Sequence, residues 1–169
     1  MFDANDQYAN VNDFSEAQGK ISEWIQKEHV QHFIKRQFNQ FVRSHRDEKS
    51  HLPTYQSRME EMCQNNKQSF QIDFRDLSNK VPTLAIWLAE EPALIIPMFN
   101  VVALELVTEM YPDYPNTHSH IFVRIDNLPV EDKLRELRQV HLNALVKFRG
   151  VVTKRTGVFP EYSEMYFTC

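Results

Sequence analysis

The chain has 169 residues, 42% of them hydrophobic and 25% charged, with a formal net charge of -4. That balance suits an ordinary globular protein of one or two domains and excludes a low-complexity or collagen-like chain. Two cysteines far apart, Cys63 and Cys169, exclude a disulfide framework and point to a reducing compartment. No apolar run is read as long enough to span a bilayer, and the acidic, polar start Met1-Phe2-Asp3-Ala4-Asn5-Asp6 is unlike a secretory signal.

Residues 1–19 are polar and weakly patterned and read as a flexible tail. From Ile21 the apolar residues fall in steps of three and four, through Trp24, Ile25, Val30, Phe33, Ile34, Phe38, Phe41 and Val42. Such spacing predicts helix with one buried face, and this aromatic stripe is read as core. A charged exit from Arg43 to Lys49 follows. Pro53 resets the chain, and Ser57 with Glu60 three residues on predicts a capping box at the next helix. Cys63 lies on the apolar stripe of that helix and reads as a small buried hydrophobe.

Alternation at Phe70, Ile72 and Phe74 predicts a short extended stretch. Pro82 and Pro92 each suit the first turn of a helix, where a missing N–H costs nothing. The segment from Leu94 to Met110 is apolar almost all round, as a central bundle helix would be. Pro97 within it predicts a kink or a later start. Ile121, Val123 and Ile125 alternate with polar neighbours and predict a strand; His118 and His120, two apart, read as polar residues at its edge rather than as a metal pair.

Beyond Pro129 the pattern changes. Leu142 to Phe159 reads as a long strand broken by Gly150, with Tyr162 to Cys169 as its hairpin partner. Two strands cannot close a barrel, so this β-domain reads as incomplete. The predicted fold class is α+β, with a helical domain at 20–126 followed by the start of a β-domain at 127–169. Charge divides with it: residues 127–169 hold seven cations against five carboxylates, and the rest twelve against eighteen. Nucleic acid, if bound, would meet the last quarter of the chain. Lys147, Arg149, Lys154 and Arg155 are the candidate contacts, with Phe148 and Phe159 near enough to stack on bases.

The run Leu134-Arg135-Glu136-Leu137-Arg138, His141-Leu142-Asn143, Leu145-Val146, Gly150-Val151-Val152-Thr153 and Thr156-Gly157-Val158-Phe159-Pro160 is long and specific. It resembles the opening of the oligonucleotide-binding (OB) barrel in the minichromosome maintenance (MCM) family, most of all its subunit-two branch. Glu23-Trp24-Ile25 with Phe38 and Phe41, the helix ending in Tyr111-Pro112-Asp113-Tyr114, and His118 to Ile125 are similar to that family's helical A subdomain and the strand leaving it. The resemblance covers residues 20–169. It implies a piece of a nuclear, hetero-hexameric DNA helicase that meets other MCM subunits and single- and double-stranded DNA, with no membrane role. The helical domain would brace the ring from outside and the barrel would line the channel.

The resemblance also implies that Cys169 is the first ligand of a zinc ribbon, completed only in a longer chain, and that ATP and magnesium belong to a module beyond these residues. The residues themselves agree on one point. No Gly-x-x-x-x-Gly-Lys-Ser/Thr loop occurs, and Gly19, Gly150 and Gly157 are too scattered to build one. A free-standing single-strand-binding or adaptor module is the competing expectation. A small enzyme has no nucleophile–base constellation behind it.

Overall fold

The computed structural model describes residues 21–46, 53–159, 164 and 166. The expected tail at 1–19, most of the expected hairpin partner at 162–169, and Cys169 lie outside the described residues. Helices dominate: α1 (Ile21–Ile25), α2 (Glu28–Ser44), α3 (Thr54–Gln64), α4 (Phe74–Lys80), α5 (Pro82–Glu90), α6 (Pro92–Met110) and α7 (Tyr114–Thr117). Two strands, β1 (Ser69–Asp73) and β2 (Phe122–Asp126), pair in parallel.

The periodic residues of α2 bury the face they predict: Val30, Ile34, Phe38, Phe41 and Val42 are all inside. Their main partner is α6, whose stripe Ile95, Phe99, Val102, Ala103, Leu106 and Val107 follows the same steps. Phe38 stacks on Phe99, ring centroids 3.9 Å apart, and Trp87 of α5 is wholly buried. Trp24 and Phe33 are half-buried against this core. Arg43 pairs with Glu109, tying the end of α2 to the end of α6.

Pro82 and Pro92 open α5 and α6 as their spacing requires. Pro97 does not delay the helix, which runs unbroken through it. Its missing N–H leaves the Ala93 carbonyl without a helical donor, but Ala93 and Pro97 both sit on the exposed face, where water can serve. An 18-residue window of α6 has a mean hydropathy of 1.7, so by length and composition it is apolar enough to cross a membrane. The sequence-based exclusion of such a run therefore does not hold. Here the apolarity supplies the central helix of the core, and Glu105 and Glu109 lie on its solvent side.

The cap predicted at Ser57 is displaced. Helix α3 starts four residues earlier than a Ser57 cap requires, after Pro53, and the Ser57 hydroxyl donates 2.8 Å to the Pro53 carbonyl from inside the first turn. The earlier start brings Tyr55 into the core, where its hydroxyl donates to Asp76 at 2.7 Å and accepts from the Asp73 N–H at 3.2 Å. Burying Tyr55 outweighs a surface capping box.

Asp73 ends β1 and caps α4, accepting the Arg75 N–H at 2.8 Å. The register pairs Ser69 with Phe122, Gln71 with Arg124 and Asp73 with Asp126. Phe70, Ile72 and Val123 face the core. Both outer edges of this sheet are covered by side chains. Arg58 donates to the Gln71 carbonyl at 3.0 Å, Tyr55 receives the Asp73 N–H, and Asn100 receives the Val123 N–H at 2.8 Å. Such covers blunt the tendency of open edges to pair with other chains.

Residues 142–159 do not form the predicted strand. One isolated parallel bridge, Asp132 to Phe148, is the ladder contact they make, and two short 3-10 turns (Leu134–Glu136 and Gln139–His141) precede them. A strand is held by a partner's backbone groups, and among the described residues nothing extends that bridge. Gly150 accordingly marks no bulge: its φ is not positive, and a Cβ there would meet nothing within 4 Å.

Candidate nucleic-acid interface

The basic segment is anchored to the helical domain at its near end. Leu128 and Leu145 pack, half-buried, against the core, and the Leu145 N–H donates 2.8 Å to the Ala89 carbonyl at the end of α5. The Asp132 N–H donates 2.8 Å to the Lys147 carbonyl, which holds residues 131–132 beside 147–149.

That contact places Glu131 between two of the four candidate cations. Its carboxylate lies 3.7 Å from the Lys147 ammonium and 3.3 Å from the Arg149 guanidinium. Lys147 also donates to the Leu128 carbonyl at 3.3 Å. Lys154 and Arg155 are exposed, with no carboxylate partner among the described residues. The four candidates thus divide into an inner pair held by an acid and an outer pair facing solvent.

Two aromatics accompany them. Phe148 is 53% exposed and Phe159 is 79% exposed, as are their neighbours Val151, Val152 and Val158. The described residues therefore present a strip of cations, aromatics and β-branched side chains along 147–159. Cations can neutralise phosphates, and exposed rings can stack on bases without selecting a sequence. Spacing alone did not mark Glu131, because residues 16 and 18 positions apart meet only through the 132–148 bridge.

The other singled-out residues have structural roles. The His118 ring ends α7 and sits between Gln68 and Asn66, 2.7 and 2.8 Å away, while His120 is exposed ahead of β2. Neither lies on the strand. Burial, with Glu60 nearby, pushes the Cys63 thiol up, the opposite of what a nucleophile needs. Among the described residues no group of three or more His, Cys, Asp or Glu side chains gathers to hold a metal.

Comparison with known proteins gives two family matches in chain order. The MCM N-terminal domain matches residues 35–127 and the MCM OB domain residues 133–169. The chain is 42% identical over 149 residues to a DNA replication licensing factor mcm2 of Schizosaccharomyces pombe, covering 88% of this chain and 18% of that protein. It is 35% identical over 155 residues to an MCM2 of Arabidopsis thaliana, covering 90% and 16%. An mcm4-A of Xenopus laevis is 29% identical over 147 residues, covering 86% and 17%. The chain thus spans about a sixth of the length of the relatives it matches. With one family model covering more than half of the residues and a second following it in order, the chain belongs to the MCM family.

Proposed function

We propose that this chain is the N-terminal, non-catalytic part of a subunit-two helicase protein acting in DNA replication licensing, working in the nucleus within a hetero-hexameric ring. The observation that carries this reading is the run of relatives named DNA replication licensing factor MCM2, matched over nearly the whole chain. Its part would be geometric and electrostatic. The helical domain, a single core with covered sheet edges, would act as a rigid brace. The strip 147–159 would be completed as a barrel and would guide DNA through Lys147, Arg149, Lys154 and Arg155, with Phe148 and Phe159 as stacking surfaces. Zinc, through Cys169 and ligands beyond it, and ATP with magnesium would belong to the longer protein; ATP turnover is not expected of these residues.

The test is DNA affinity against salt in an assembled ring containing the full-length subunit. Four phosphate contacts on single-stranded DNA would give a log–log salt slope of about -3. Lys154→Ala/Arg155→Ala is expected to weaken binding and make that slope shallower by about 1.4. Unchanged affinity and slope would refute the guiding role. Binding of single strands by the isolated chain, with no assembly, would favour a free-standing binding module instead.

A further inference from the structure

The face of the β1–β2 sheet turned away from the core carries an unusual set of side chains. Ser69, Gln71, Phe122 and Arg124 lie there, since Phe70, Ile72 and Val123 point inward. Beside it runs a groove of about 520 Å³ lined by Arg58, Glu61, Lys67, Gln71 and Arg124 among others. No carboxylate among the described residues pairs with Lys67 or Arg124, and Arg58 spends its guanidinium on the Gln71 carbonyl and the Tyr55 ring. Among the described residues Glu61 is the only acid lining the groove. The groove therefore favours an anionic occupant.

At the other side of the same face lies a largely apolar pocket of about 230 Å³, lined by Pro97, Val101, Leu104, Ile121 and Phe122, with Asn100 and His120 as its polar members. Val101 is 45% and Phe122 47% exposed. A cationic groove beside an apolar pocket calls for a peptide with acidic residues around one apolar anchor. It does not call for an added strand, because Arg58 and Tyr55 already occupy the free edge of β1.

The chain contains such a peptide. Residues 1–20 carry Asp3, Asp6, Asp13 and Glu16 against the single cation Lys20, with Phe14 flanked by Asp13 and Glu16. Twenty residues can reach about 65 Å when extended. A domain of the size of residues 21–126 is roughly 35 Å across. Reach from Ile21 is therefore no obstacle. The other acidic–aromatic stretch, Glu161 to Tyr166, is a poorer fit, because Tyr166 is solvent-exposed and bonded to Glu164.

We propose that residues 1–20 dock in cis on this face, with Phe14 in the apolar pocket and Asp13 and Glu16 against Arg124 and Lys67. The test uses the full chain with Cys63→Ser, Cys169→Ser and a spin label at Ala17→Cys. Broadening of the Gln71, Phe122 and Arg124 amide signals is expected. It should be lost with Phe14→Ala, in 1 M salt where the Debye length is about 3 Å, and with Lys67→Glu/Arg124→Glu. It should return when Asp13→Arg/Glu16→Arg is added to that last pair. Lys67 and Arg124 are exposed, and the undisturbed signals of α2 and α6 check that each variant keeps its fold. Absence of broadening, broadening that survives charge reversal, or broadening that scales with protein concentration would each overturn docking in cis.

Discussion

In the proposed interface Glu131 would compete with DNA for two of the four candidate cations, and its neutralisation makes a sharp prediction. The carboxylate lies 3.7 Å from Lys147 and 3.3 Å from Arg149. Its side chain is about one-third exposed, and that of Arg149 is far more so, so each pair is strongly screened. Exposed pairs of this kind contribute about 0.2–1 kcal/mol each. Glu131→Gln should therefore cost the fold little, while removing a negative charge that a phosphate must displace or tolerate. The expected gain in single-strand affinity is about two- to tenfold. The salt slope should also steepen, by up to about 1.4 if both cations become full phosphate contacts. Fluorescence anisotropy of a labelled oligothymidine, titrated across salt concentrations, reads both quantities. Equal affinity and slope for wild type and Glu131→Gln would show that Lys147 and Arg149 do not meet DNA, and the strip would shrink to Lys154 and Arg155.

Tyr55→Phe removes a hydroxyl bonded to Asp76 and to the Asp73 N–H, so a loss of about 1–3 kcal/mol is expected by urea denaturation. Burial first, and the Asp76 hydrogen bond second, push the Tyr55 hydroxyl well above its usual value of 10.0. The unfolded chain then releases this proton at lower pH than the folded one, so stability contributed below pH 10 should fall away as pH rises beyond it. Tyr55→Phe should flatten that alkaline fall; an equally steep fall would show that other groups cause it. Phe99→Ala, which empties the ring stacked on Phe38, should cost about 3–5 kcal/mol, and a loss below 1 kcal/mol would deny this pair its place at the centre of the core. In a Cys169→Ser chain, iodoacetamide should modify Cys63 more slowly at pH 8 than it modifies an unhindered peptide thiol.

Periodicity marked α2 because it buries a single stripe, all-round apolarity marked α6 as a central helix, and proline marked the first turns of α5 and α6 because a missing N–H costs nothing there. The starting point of α3 was harder. Ser57 and Glu60 have the spacing of a cap, but the chain gains more by turning Tyr55 inward, a choice governed by Asp73 and Asp76, which no local window contains. The extended character of Phe70 and Ile72 was legible, whereas their pairing with Val123 and Ile125 was not, because parallel partners are chosen by the helices between them. The stretch 142–159 failed as a strand for a related reason. β-branched residues favour an extended backbone but supply no partner for it. Of the candidate interface, the cations could be read from composition. The acid that holds two of them became visible only when Asp132 and Phe148 were seen side by side.

The parallel pairing of β1 with β2 also bears on how this domain is made on the ribosome. Five residues of one strand wait for five that are synthesised 53 positions later, with four helices in between. Among the described residues, Ile121 and Val123 are the last in sequence to be buried in the core. A nascent chain that ends before Asp126 therefore exposes the inner face of β1 and the edge of β2 has not yet been made. At about 5–20 residues per second, translation leaves that half-built core uncovered for roughly 3–10 s. The side chains that cover the outer edge of β1, Arg58 and Tyr55, precede it in the sequence. They are in place throughout that interval, so the edge most able to recruit a neighbouring nascent chain is already shielded while the sheet awaits its second strand.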